Sequence, residues 1–413
     1  MKTRRAWRIP NPWASLRGLP REVWGLFAST LVNRVGTMAL VFLVLYLTKK
    51  GWHAHDAGLL MSLYGVGSVI ASPIAGRVCD RIAPKRIMLG SLFLAGALMV
   101  LYPWAHSTAA IIVLTLLWSL ASEAYRPASF ALVGDSVAPE QRKVAFSVNR
   151  LAVNLGASVG PAVGGLLATV SMAAIFWVDG VTSILAGIVL AILLRGRGRR
   201  RTDGAGGASP ARHPHAGRSV FADRRFLYFL AATLPVAIVF FQILSTLPLD
   251  LVRGQGMSEK AFGGLLAING LLIVLIEVPL SAATARWPHG RALALGAFLT
   301  CAGLGLTAFA HNFITALGTV IVWTFGEMIL FPAGSHYVTD TTPPERRGEA
   351  LGAYTGSFGL AFLLAPLIGT AVLERWGADM VWAGAFCSGL VATVLLSRVD
   401  SRRSPSAVAA SIS

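Results

Sequence analysis

Twelve stretches of roughly twenty or more mostly apolar residues run through the chain, at 22–47, 56–76, 86–104, 109–134, 143–170, 172–194, 225–250, 259–283, 291–310, 313–339, 348–373 and 379–397. Charge, glycine or proline bounds each one. A hydrocarbon layer about 30 Å thick is crossed by a helix of about 20 residues, which also satisfies its own backbone hydrogen bonds. The pattern therefore predicts an all-α integral membrane protein with twelve transmembrane helices. Composition agrees, since 13% of the residues are charged where a soluble domain carries about 25%. Cys79, Cys301 and Cys387 are three in number and in no metal-ligand spacing, so neither a disulfide framework nor a metal site is expected. The first stretch is too long for a signal-peptide core and contains Arg34, so it is read as a spanning helix.

The net charge of +17 follows from topology. Of the 36 Lys and Arg residues, 28 fall on the side that carries both termini and the even-numbered connectors, and five on the other side. Arg34, Arg126 and Arg150 lie inside or close to the spans. By the positive-inside rule, the termini and the central linker are cytoplasmic. The basic excess then calls for no nucleic-acid partner. The expected organisation is an N-terminal tail (1–21), a six-helix bundle (22–194), a basic linker (195–223), a second six-helix bundle (224–397) and a C-terminal tail (398–413). The linker is rich in Gly, Ala and Arg, and its composition predicts disorder.

The two halves repeat. An offset of 205 residues lays Trp118 on Trp323, Pro127 on Pro332, Asp135 on Asp340, Pro139 on Pro344, Glu140 on Glu345, Arg142 on Arg347, Pro161 on Pro366 and Gly164 on Gly369. Arg81 and Arg86 likewise fall on Arg286 and Arg291. With six spans per half, the repeats share one orientation and are related by an axis along the membrane normal. Two such bundles with a site between them near mid-membrane form the alternating-access design.

The second connector contains Gly76, Asp80, Arg81, Lys85 and Arg86 in the order Gly-Arg-Val-Cys-Asp-Arg-Ile-Ala-Pro-Lys-Arg. This resembles the signature loop of the major facilitator superfamily, with Ala83-Pro84 in place of the usual Gly-Arg. The resemblance implies that Asp80 meets the start of the eleventh span, near Arg347-Gly348-Glu349, and latches one conformation. The second-half counterpart, from Ala285 to Arg291, has lost the acid, so the latch is one-sided. The fifth span carries Gly156, Gly160, Pro161, Gly164 and Gly165, similar to the antiporter motif of drug:proton exporters in that superfamily. Its glycines form a small-residue face for close helix contact, and Pro161 removes a backbone donor. Asn33 to Met38 and Leu45 to Thr48 resemble the first span of multidrug-exporter-like members, and Arg126 sits close to the place of the family's membrane-buried arginine, implicated in proton coupling.

Ionisable side chains at mid-membrane are functional candidates by default. Arg34 and Glu123 lie about halfway along the first and fourth spans, Glu327 halfway along the tenth, and Glu277 nearer the cytoplasmic side of the eighth. A carboxylate that alternates between an arginine partner and an apolar cavity changes its hold on a proton. Glu123 or Glu327 is thus the expected proton carrier, biased by Arg34 and Arg126. Fixed ion pairs that only set helix packing are the competing reading. Asp179 is expected near the outer end of the sixth span in a surface role, and His336 is ambiguous. Tyr46, Trp118, Phe240, Phe241, Gln242, Trp323 and Phe325 are candidates to line a substrate cavity, although many aromatics in spans face lipid or other helices.

The resemblance implies a proton-coupled secondary transporter that exports small amphipathic or organic compounds. It would work as a monomer in the cytoplasmic (inner) membrane, with no cofactor and with the proton gradient as energy source. The alternative is a same-fold importer or exchanger of a metabolite such as a sugar, organic acid or lysolipid. No polar catalytic cluster suggests an enzyme, and no Walker-type loop suggests ATP-driven transport.

Overall fold

Each apolar stretch folds as a helix, and the ends fall close to the charged and Gly/Pro punctuation. The structure, a computed structural model, describes residues 18–399 except 80, 139–140, 195–218 and 344–345, and leaves out the side chains of 72, 73, 76, 77, 135 and 143. The first span is two helices, α1 (Arg21–Gly36) and α2 (Ala39–Lys49). α3 (Ala54–Cys79), α4 (Pro84–Leu101), α5 (Thr108–Ser136), α6 (Arg142–Val170) and α7 (Met172–Leu193) complete the first half. The seventh span is composite: α8 (Arg224–Phe240), a 3-10 turn (Phe241–Leu244), α9 (Thr246–Pro248) and a π turn (Leu249–Gly254). α10 (Glu259–Thr284), α11 (His289–Gly305), α12 (Phe313–Thr341), α13 (Arg347–Trp376) and α14 (Ala378–Ser397) follow. Among the described residues eleven spans are long and apolar enough to cross a membrane, and α3 runs 26 residues where the remaining one is expected. No strand occurs among the described residues.

The connectors start helices with side-chain caps. Ser107, Ser171, Asp223 and Ser258 each accept a backbone N–H in the first turn of the helix they open, and Asn312 and Thr315 cap each other's backbone at α12. Ser219 and Val220, at the end of the expected linker, are docked: the Ser219 hydroxyl and the Val220 N–H both donate to Glu349 of α13, at 2.6 and 3.3 Å. Residues 195–218 of the linker, the expected N-terminal tail up to residue 17 and residues 400–413 lie outside the described residues.

Spans one and seven break at repeat-related positions. Thr37 and Met38 leave the helix between α1 and α2, and adding 205 to each gives Gln242 and Ile243, inside the 3-10 turn. A break within hydrocarbon frees backbone donors and acceptors that water cannot reach, so protein groups must replace them. In the first half Asp179 does so. Its Oδ2 accepts the N–H of Met38 at 3.3 Å and of Ala39 at 3.0 Å, at the N-terminal end of α2. This corrects the expectation of a surface role: Asp179 is only 4% exposed, because the break in span one comes at its own height. In the second half the Gln242 side chain ties the turn to another span and to neighbouring hydroxyls, and caps no backbone group of its own span. Its Nε2 donates to the Ala365 carbonyl of α13 at 2.8 Å, and its Oε1 accepts from Ser245 at 3.2 Å and from Thr246.

The first half has a further buried network of neutral groups. Thr30 of α1 shares a 2.8 Å hydrogen bond with the Tyr125 hydroxyl of α5 and donates to Asn149 Oδ1 of α6 at 3.2 Å. Asn33 donates to Ser183 of α7 at 3.1 Å.

Removing the Asp179 carboxylate takes the cap from the Ala39 N–H and leaves the Met38 N–H to the Gly36 carbonyl at 2.8 Å, at a cost of about 1–2 kcal/mol. Asp179→Ala is therefore expected to lower the melting temperature in detergent, read by fluorescence-detected size exclusion after heating. Asp179→Asn, which keeps a carbonyl acceptor, recovers most of it. An alanine variant as stable as the parent rules out the cap.

Candidate functional site

The two halves meet along two seams, α6 against α10 and α3 against α13. Both run through small residues, which lets the backbones approach closely. A Cβ at Gly65 would lie 3.1 Å from the Leu363 Cα, and one at Gly270 2.6 Å from the Ser158 Cα. The seams are closed at the end that carries the odd-numbered connectors. There Lys49 at the end of α2 pairs with Glu259 at the start of α10 at 2.5 Å. Arg253 of the π turn donates to the Thr48 carbonyl at 2.5 Å, and the His55 N–H donates to Glu374 of α13 at 2.9 Å. Cavities of about 640 and 480 Å³ also open at this end, sharing Trp52 and His53 in their walls. Toward the opposite end, where the described chain starts and stops, one ion pair joins the halves among the described residues: Arg150 of α6 with Glu277 of α10. Glu277 is therefore a cross-seam partner.

The glycine face of α6 grips the break in span one. Cβ atoms at 156 and 164 would collide with Arg34 and with Met38 and Phe42. At Gly160 a Cβ would press on three carbonyl oxygens, those of Arg34 and Thr37 at 3.2 Å and Val35 at 3.3 Å. Gly165 faces the other half, where a Cβ would meet the Glu259 carbonyl at 2.6 Å and the Gly263 Cα at 3.1 Å. One short segment around Pro161, which lies within α6, thus touches both the broken span and the partner bundle.

The mid-membrane charges are not gathered into one cluster. Glu327 of α12 is 6% exposed, and its Oε1 accepts from Asn269 Nδ2 of α10 at 2.5 Å; the same amide donates to Thr324 at 2.9 Å. Among the described residues Glu327 has no cationic partner. Glu123 is half-buried on α5, and like Arg34 it lies within electrostatic reach of the buried Tyr64 hydroxyl on α3. The fixed Arg34–Glu123 ion pair of the competing reading is not formed within 4 Å, and the buried Nε of Arg34 has no hydrogen-bond partner. Arg126 is exposed and lies one helical turn from Glu123.

Asp80 of the expected latch and the setting of Gly76 lie outside what is described. Of the other members, Arg81 and Arg86 are exposed, and Lys85 donates to the Leu194 carbonyl at 2.6 Å, a cation on the C-terminal end of α7. The aromatic candidates divide. Tyr46, Trp118 and Trp323 are at most 4% exposed and sit in helix packing: Tyr46 against Tyr102 and Phe176, Trp118 against Tyr64, Trp323 against Phe240. Gln242 is consumed by the break in span seven. All four are buried among packed side chains in this conformation. Phe240, Phe241 and Phe325 are half-buried, and Phe241 reaches the Phe362 ring of α13 at 5.2 Å between centroids.

Comparison with known proteins gives this geometry a context. The family model described as Major Facilitator Superfamily matches residues 26–276 and 243–412. The chain is 24% identical over 410 residues to a Na(+), Li(+), K(+)/H(+) antiporter of Planococcus maritimus, covering 91% of this chain and 96% of the relative. It is 25% identical over 185 residues to the quinolone resistance protein NorA of Staphylococcus aureus (strain MRSA252), covering 45% of this chain and 48% of the relative. A bacterial homolog of the human lysosomal transporter Spinster, solved in an inward-facing and unoccupied conformation, has the same fold: TM-score 0.71 and 15% identity over 94% of this chain and 92% of that one.

Backbone atoms cannot yield as a flexible side chain can, so Gly165→Val is expected to force α6 away from α10 and open the closed end. Cysteines at 49 and 259, on a background without Cys79, Cys301 and Cys387, report this through a short bifunctional maleimide. Cross-linking should fall several-fold in the valine variant, and unchanged cross-linking means that the seam tolerates the side chain.

Proposed function

The chain belongs to the major facilitator superfamily, and from that premise we propose that it is a proton-coupled exporter of small amphipathic or organic compounds. The observation that carries the proposal is Glu327: a carboxylate inside the second bundle, held by one amide and without a counter-ion among the described residues. An acid in such a site changes its hold on a proton when rearrangement brings water or a cation to it. The glycine motif of α6 supports export, since it resembles the motif of drug:proton antiporters and grips both the broken span and the partner bundle. NorA, a partial match, is a relative with a drug-resistance name. In the proposed cycle, the site takes substrate from the cytoplasm while the odd-connector end is shut. Proton entry from outside resets it after the halves rock. The termini face the cytoplasm, and Glu123, with the unpaired Arg34 and Arg126 nearby, is the proton carrier's counterpart in the first half.

A second reading has its own support. The relative that matches nearly end to end is an antiporter of alkali cations for protons, so the exported species is a metal cation in that reading. Both readings use the same buried acid.

Everted vesicles separate them. Acidified vesicles are given a fluorescent cationic dye, or sodium or potassium chloride, and dye accumulation and lumenal pH are followed. Dye uptake that collapses with the proton gradient supports drug export, and alkalinisation by salt alone supports cation exchange. Glu327→Gln is expected to bring either activity to background and Glu123→Gln to reduce it by about a hundredfold, the lower end of what one general acid–base group contributes. Normal pH-dependent transport in both variants overturns the coupling role.

A further inference from the structure

At the end of the second bundle away from the closed seam, three side chains converge that the transport cycle above does not use. His289 opens α11, and His336 and Asp340 stand one turn apart on α12. Asp340 Oδ2 lies 3.2 Å from His289 Nε2 and 3.4 Å from His336 Nε2. The three potential ligand atoms all lie within 4.8 Å of one another. We propose that they form a site for a divalent ion of the zinc, cobalt or nickel class, which fastens α11 to α12.

The geometry points there first. Four ligands at about 2.0–2.1 Å from a tetrahedral ion are about 3.3 Å apart, and the two carboxylate–imidazole distances already have that length. Two imidazoles and one carboxylate are the donor set of zinc sites that keep a fourth position open. The open side faces out, since the side chains of His336 and Asp340 are 58% and 47% exposed, whereas His289 is shielded at 16%. The neighbouring cation Arg347 turns its Nε to the carbonyls of Thr339 and Thr342 at 2.9 and 3.4 Å.

The repeat supplies an independent argument. At the offset of 205 residues, Asp340 corresponds to Asp135, but His289 corresponds to Pro84 and His336 to Ala131. The acid belongs to the duplicated scaffold and both imidazoles do not, so the first half folds without them. Sequence reading expects no metal site because it looks for close cysteine and histidine spacing, and here the first ligand is 47 residues from the second.

A bound ion would restrain the end of α12, the helix that also carries Glu327. The simpler alternative is a hydrogen-bonded trio in which both imidazoles donate to one carboxylate. The full-length chain, with its affinity tag removed, is titrated in detergent with cobalt and then zinc. One equivalent of cobalt is expected to give the visible bands of a four-coordinate site, and zinc to displace it with micromolar affinity. His336→Ala and Asp340→Asn, both at exposed positions, should each weaken binding by about tenfold or more. A His53→Ala/His55→Ala variant should bind as the parent does. Size-exclusion profiles before metal addition show that the variants are folded, so a loss of binding reads on the site. No binding tighter than millimolar in the parent, or parent-like binding in His336→Ala, overturns the proposal in favour of the hydrogen-bonded trio. The readout is metal binding alone and does not depend on what the transporter carries.

Discussion

Inside hydrocarbon a backbone N–H or C=O has no water to turn to, and this governs how the chain is able to deform. A continuous helix meets the condition by itself but is stiff. Spans one and seven are not continuous, and at the break in span one another span supplies part of what the helix gives up. Asp179 reaches from α7 to the start of α2, and Gln242 reaches from its own turn to α13. The carbonyls left at the first break lie against Gly160, where no side chain stands between the backbones. The glycine motif is therefore a matter of backbone access as much as of helix packing: it admits a broken span to the interior.

Much of the fold was legible in the amino-acid order. The apolar stretches predict helix ends to within a few residues because the same charges and prolines that stop a hydrophobic run also stop a helix. Spans one and seven were the exceptions in shape, though not in extent. Val35-Gly36-Thr37-Met38 contains no proline, and nothing in it announces a break. Asp179 was misplaced for a related reason. Counting from the connector puts it near an outer edge, and only the position of the break explains why the carboxylate lies inside.

The site was legible in parts. Glu327 stands out as an acid in an apolar run and is buried, but its partner Asn269 is an ordinary amide with no local signal. Glu277 is equally visible, yet its pairing with Arg150 depends on how two bundles meet, which no pattern within either bundle encodes. The aromatic candidates show the limit most clearly. Tyr46, Trp118 and Trp323 lie in the expected spans, but which face of a helix looks at a cavity is set by tertiary packing.

The duplicated halves have kept one plan and changed its details. Each breaks its first span at the same offset, and in the first half a carboxylate from another span caps the break. The choice has a consequence for how the chain is made. Asp179 lies 141 residues after the N–H it accepts from Met38. As the chain emerges, span one enters the membrane with its broken backbone uncapped, and it stays so until the sixth span arrives. The Gln242 contact with Ala365 likewise spans 123 residues, but it caps no backbone group of its own span. The first bundle thus closes only when its last helix is in place.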